Sequence, residues 1–345
     1  MKHPRLTIVF SLIFICLSSH ISAFAASQAT DIGHVLSWLP SDTETVFVAK
    51  GPITIPAAFP QNDRVADKVT DHEVDQLLKY LPMSLFDIRK GHLLKQLKDH
   101  QVDLAIEGSR HARSPHGLGE QLYEGAAILI FSPGSQITSN AVLQKLQAGS
   151  IRSEKIHGIH VLVFQDKLED DLWTSYLAFP EKDVAVVATD RSYLEEILTF
   201  RKGGDSQKRA LPDSLPEWRA IDQEAAYFGI RHYDPTQAKS DPSSPFGGRK
   251  AANFPDERAT GFAFSMSTTN PRRVSMTYFS GDLAMTPEQS PFQILATSPD
   301  AHDIDSQFRS VSPGVVQVSC SFKTVEGLDF FVFLLEGFMG HAIYV

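Results

Sequence analysis

Two histidines three residues apart, His157 and His160, offer the sharpest chemistry in this chain. They flank Gly158-Ile159, a dipeptide suited to a tight turn, so the spacing predicts two imidazoles approaching across a hairpin and sharing a divalent metal. Two imidazoles make half a zinc site, and a third ligand would have to come from elsewhere, for example Asp166 or His232. Ordinary hairpin surface residues account for the same pattern.

A second candidate is the segment from Gly108 to Gly119, which carries Arg110, His111, Arg113 and His116. A polar, glycine-containing, locally basic loop between two expected strands has the composition of an anion or carbohydrate contact. A plain connection without a partner has that composition too.

The phrases that announce catalysis are missing. The chain has no G-x-S-x-G elbow, no H-E-x-x-H helix, no G-x-x-x-x-G-K-[ST] phosphate loop and no G-x-G-x-x-G dinucleotide turn. Glu169-Asp170-Asp171 is a run of adjacent acids, which reads as a solvated loop and not as an acid/base pair. No catalytic residue and no cofactor are implied.

The elements that would position these residues are mostly strands. Period-two alternation marks 262–266 and 274–278, joined through the turn-forming Asn270-Pro271, and further strands are expected at 45–50, 102–106, 125–131, 159–164, 175–179, 184–188 and 225–231. Helices are expected at 71–80, at 84–98 and after Asp190, whose side chain can cap a first turn and whose stripe is Tyr193, Leu194, Ile197 and Leu198. The pattern Val316 to Lys323 alternates without a fault and turns Cys320 inward as a small buried hydrophobe. Irregular mixing of strands and helices predicts an α+β fold with mainly antiparallel sheets and packed helices.

Trp38, Asp42, Glu44 and Phe47 fall against Trp218, Asp222, Glu224 and Tyr227, each set 180 residues from the other. This predicts two related α+β units, 31–204 and 212–345, with a mobile loop at 234–258 that is rich in Pro, Ser and Gly.

Residues 1–25 read as a signal peptide: Lys2 and Arg5, the apolar stretch Ile8 to Leu17, and Ala23-Phe24-Ala25 before a cleavage point at Ala25 or Ala26. Ile15 before Cys16 is too large for a lipoprotein cleavage site. The apolar core is far below the roughly 20 residues of a membrane-spanning helix. Removing Lys2 and Arg5 from 32 basic residues leaves 30 against 41 acidic ones, a formal charge of −11. So acidic a chain makes nucleic acid an unfavourable partner. Phe330 to Leu335 is strongly apolar but bracketed by Asp329 and Glu336, so no stable span is expected after signal removal.

Leu39-Pro40-Ser41-Asp42-Thr43, then Phe86-Asp87-Ile88 with Leu93-Leu94 and Leu97, the stretch Lys155 to Val161, and Val186 to Asp190 together resemble a broad family of uncharacterised bacterial exported proteins that open with a Leu-Pro-x-Asp-Thr phrase. The resemblance spans about residues 36–231 and implies a fold and an exported location, without an activity. The expected function is a non-enzymatic binding or structural component of the cell envelope, in the periplasm or medium, with an envelope protein or a polysaccharide as partner. The alternative is a hydrolase or metal-dependent enzyme with a histidine-containing site between the two units.

Overall fold

A computed structural model describes residues 32–53, 97, 100–111, 123–168, 171–203, 210–233, 259–267, 273–322, 327, 330, 331, 334, 335, 338 and 339. The signal segment, the expected helices at 71–80 and 84–98 apart from Leu97, the loop at 234–258, Arg113 and His116 lie outside them.

Twelve strands form one sheet in the order β11-β12-β10-β9-β8-β1-β2-β3-β7-β6-β5-β4, and every ladder is antiparallel. They are β1 Thr45–Ile53, β2 Val102–His111, β3 Tyr123–Phe131, β4 Arg152–Ile156, β5 Ile159–Leu168 and β6 Asp171–Glu181. Then come β7 Val184–Ala188, β8 Tyr227–His232, β9 Ala259–Ser267, β10 Arg273–Ser280, β11 Ile304–Ser312 and β12 Val315–Phe322. The α+β expectation with packed helices is corrected by this sheet, which dominates the described residues. Its helices before the C-terminal one are short: α1 at 32–36, α2 Asn140–Gly149, α3 Arg191–Gly203, α4 Glu217–Ala220 and α5 Ile294–Thr297. The expectation went astray because β4 and β11 are too polar to show an apolar run, and because β1 pairs with β8 and makes one sheet where separate sheets were expected.

Alternation sends successive side chains to opposite faces. Phe47, Phe262, Phe264, Met276, Val318 and Cys320 pack on one face, here the first. Val46, Val48, Ile106, Ile128, Val186 and Ile230 pack on the second. Both faces are covered, so strands such as β7 are buried along their whole length.

A C-terminal helix covers the first face. Its buried Phe331, Leu334, Leu335, Phe338 and Met339 follow helical spacing, and Phe338 stacks on Phe262 at 4.6 Å between ring centroids. Thr45 Oγ1 donates to Met339 O (3.3 Å), while Arg231 Nη1 and Tyr233 Oη donate to Phe338 O (3.3 and 2.8 Å). Gly229 permits this closeness, because a Cβ there would meet Met339 Cε and Val46 O, each at 2.9 Å.

The second face is covered by residues 32–39, α3 and α4. Asp190 Oδ1 accepts from Ser192 N (2.7 Å) and Tyr193 N (3.0 Å), which starts α3 where the sequence predicts. Asp190→Ala is expected to lower unfolding free energy by about 1 kcal/mol in urea titrations, with Asp190→Asn near the parent.

In the β1/β8 ladder, Val48 lies opposite Phe228. These two residues are 180 positions apart, the same offset that separates the Trp-Asp-Glu-aromatic sets. Trp38 and Trp218 both pack against the second face. Among the described residues no helix is long and apolar enough to cross a membrane.

Candidate functional site

Polar chemistry gathers on the second face, at both ends of β1. At the start of β1, the register places Arg110 of β2 opposite Glu124 of β3, and Glu44 accepts from the His232 amide at the end of β8. Arg110 is 2% exposed and reaches three carboxylates. Its Nε donates to Glu124 Oε2 (3.0 Å), Nη1 to Asp42 Oδ1 (2.7 Å) and Nη2 to Glu196 Oε1 (2.9 Å). The guanidinium lies 4.8 Å from the Tyr193 ring centroid. Burial alone would lower its pKa, but the bonds to Glu196 and Asp42 outweigh that and hold it above the ordinary value. Burial pushes the Tyr193 phenol upward, against its 2.8 Å bond with Thr43 Oγ1.

Arg110 was expected in an exposed ligand-contact loop with His111, Arg113 and His116. The structure places it on a buried strand with its donors engaged, and β2 runs on through His111. Its partners lie 14, 68 and 86 residues away, so nothing local reveals them.

Beside it, Glu217 at the start of α4 is 1% exposed, and its Oε1 pairs with His232 Nδ1 at 2.9 Å. Oε2 is buried with no hydrogen-bond partner among the described residues. A carboxylate fixing one ring nitrogen orients the other, as in acid/base and metal-ligating histidines. Gly261 of β9 admits this carboxylate, since a Cβ there would collide with Glu217. Gly261→Ala is therefore expected to cost about 1–3 kcal/mol in urea unfolding, with part recovered by adding Glu217→Ala.

His157 and His160 are not brought together. The hairpin pairs Ile156 with Ile159, so its two-residue turn is His157-Gly158 and not Gly158-Ile159. Both turn residues have positive φ, 49° and 83°, as a primed turn requires. His157 Nε2 bonds Thr199 Oγ1 of α3 at 3.0 Å. His160 is exposed on a strand whose neighbours Ile159 and Val161 pack on the second face, which turns it to the opposite one. Among the described residues no group of three His, Cys, Asp or Glu is placed to hold a metal.

At the other end of β1 a cleft of about 370 Å³ opens where β2, β3 and β7 end beneath α1. Its apolar wall includes Val35, Trp38, Leu104, Ile130, Phe131 and Val184; Lys50, Asp103, Glu181, Lys182 and Asp183 are its charged members. Lys50 Nζ donates to Gln223 O and lies 4.0 Å from Glu224 Oε2. Asp103 Oδ1 accepts from Gln101 and Ser132. Two polar atoms are buried without a hydrogen-bond partner among the described residues: Trp38 Nε1, in a side chain 1% exposed, and Asp183 Oδ1. Each is costly to leave unmade. Sequence reasoning passed over this site because its residues read one by one as core or turn.

No family model and no curated protein matches the chain. It is similar to a solved structure described as "Structure of crystal form I of TP0453", with 10% sequence identity, coverage of 87% of this chain and 96% of that chain, and a TM-score of 0.45.

Proposed function

We propose that the chain works outside the cytoplasm as a non-enzymatic binding component of the cell envelope, and that the cleft beneath α1 is where it binds. The observation that carries this reading is the cleft itself, about 370 Å³, with an apolar wall and charged residues among its lining. A few polar groups on an apolar concavity of this size are what a small-molecule or peptide-end site presents. The Arg110 cluster supports the same reading as a brace: its three carboxylates tie β2 to β3, to α3 and to the approach to β1. Export rests on the residues of the signal-like segment.

The duplication belongs to the same proposal. A two-fold relation between halves offset by 180 residues makes a residue on the axis pair with its own counterpart, and Val48 opposite Phe228 meets that condition.

Cell fractionation with N-terminal sequencing and extraction of the purified protein test the reading. The expected result is a chain starting at Ala26 or Ser27 in the envelope fraction, carrying one specific partner or small molecule. A chain starting at Met1 among cytosolic proteins overturns it.

One observation favours the enzymatic alternative, the Glu217-held His232 beside the β1/β8 junction. Stoichiometric metal in the purified protein that is lost in His232→Gln would establish that reading in place of the first.

A further inference from the structure

We infer that β11 is a docking edge for a second copy of this chain, which adds its own β11 antiparallel across a two-fold axis. β11 closes one end of the sheet and pairs with β12 alone among the described residues. An antiparallel strand turns every other amide and carbonyl away from its neighbour, so this nine-residue outer strand presents a row of groups that another strand completes. Sheet edges are ordinarily blunted by lysine, proline or shortness. The far edge, β4, has five residues and carries Lys155, and Arg191 Nε donates to its Glu154 (3.3 Å). β11 has neither lysine nor proline. Asp305, Gln307, Arg309 and Val311 are all exposed, the last 54%.

What fits this edge is written in its own sequence. Ile304 and Phe308 pack against the first-face core, as do Phe292 and Leu295 of the short helices before the strand, so Asp305, Gln307 and Arg309 project to the second face. The ladder with β12 is regular from Ile304 to Ser310 and shifts only beyond it. Gln307 is the midpoint of that stretch. A two-fold axis at Gln307 sets Ile304 against Ser310 of the second copy, Asp305 against its Arg309 and Gln307 against its own counterpart, and symmetry repeats each unlike pair. Two cross-strand ion pairs result, with no like charges opposed. Moving the axis one residue to Phe308 sets Asp305 against Val311 and Arg309 against Gln307, which loses both ion pairs. Arg309 is held ready for this contact. Its Nε donates to Gln317 Oε1 (2.7 Å), whose Nε2 donates to Thr277 Oγ1 (3.2 Å), while its Nη atoms make no hydrogen bond among the described residues. Because β4 is blunted, the assembly closes at two copies and does not run on as a fibre.

Sedimentation velocity on the full mature protein, from about 1 to 300 μM, reads the association, since a single strand-to-strand contact lies at the small end of protein interfaces. The parent is expected to pass from one copy to two as concentration rises. Asp305→Arg and Arg309→Asp each oppose like charges twice, and each is expected to weaken association about 10-fold or more. The double variant Asp305→Arg/Arg309→Asp exchanges the signs and is expected to regain most of the parent's affinity. So is an equimolar mixture of the two single variants, in which every facing pair is again of opposite charge. The double variant and the mixture carry the same substitutions, so a folding defect does not produce the recovery, and circular dichroism melts check each protein. A parent that stays single throughout overturns the inference. So does a dimer that the single reversals leave unchanged, which sits on another surface, and so does a mixture that fails to associate. None of these outcomes bears on the cleft.

Discussion

Arg110→Met is expected to lower the unfolding free energy by about 3–5 kcal/mol, the usual penalty when one member of a buried ionic network is removed and the others remain. The side chain is 2% exposed and Glu124 is 8% exposed, so the lost cation leaves a carboxylate with little access to water. Asp42 is 42% exposed and is better solvated alone, so Asp42→Asn is expected to cost under about 1 kcal/mol. Adding Glu124→Gln to Arg110→Met should recover a good part of the loss, because the orphaned charge goes with it. Arg110→Lys keeps the charge without the planar fork that meets three acids at once, and is expected to fall between parent and Met. Urea unfolding of the parent, Arg110→Met, Glu124→Gln and the double variant as a double-mutant cycle measures the coupling. An Arg110→Met protein within 1 kcal/mol of the parent would show that the network is not a brace.

The second large effect is alkaline. Burial pushes the Cys320 thiol from an ordinary 9.0 up to about 12 and the Tyr227 phenol from 10.0 up to about 12, and Tyr193 moves the same way. The unfolded chain releases these protons at the ordinary values while the folded chain still holds them. Between pH 9 and 12 the unfolded state therefore binds fewer protons, and stability falls as pH rises, by roughly 1.4 kcal/mol per pH unit for each such group. The contribution is intact below pH 9. From pH 9 to 10 the thiol leads, so Cys320→Ala is expected to start less stable yet decline less steeply over that interval. Thermal melts from pH 8 to 11 read both slopes, and parallel slopes would remove the thiol from the account.

How much of this is visible in the primary structure depends on how local its cause is. The Asp190 cap is legible because the donor amides follow within three residues. Cys320 is legible because Val316 and Val318 repeat its face. The turn of the His157 hairpin is one residue off in expectation because a histidine, not a glycine, takes the first left-handed turn position. Arg110 is illegible as a core residue, because beside Ser109 and His111 it looks like loop until a strand, a helix and a turn from three distant places supply its acids. The fold class failed for a related reason. Strand β11, Ile304–Ser312, gives the first-face core only two apolar side chains, Ile304 and Phe308, so its membership in the sheet depends on β12 being there to receive it.

The seam between Val48 and Phe228 also has a temporal meaning. A chain is made from its amino end, and β1 reaches its neighbour on that side only after 180 more residues have been added. At ordinary elongation speeds this interval is roughly 10–35 s. For that time one edge of β1 stays open to any passing strand on the nascent polypeptide or on a neighbouring one. Yield in a recombinant host should then depend on a holdase that shields the young chain until Tyr227–His232 emerges.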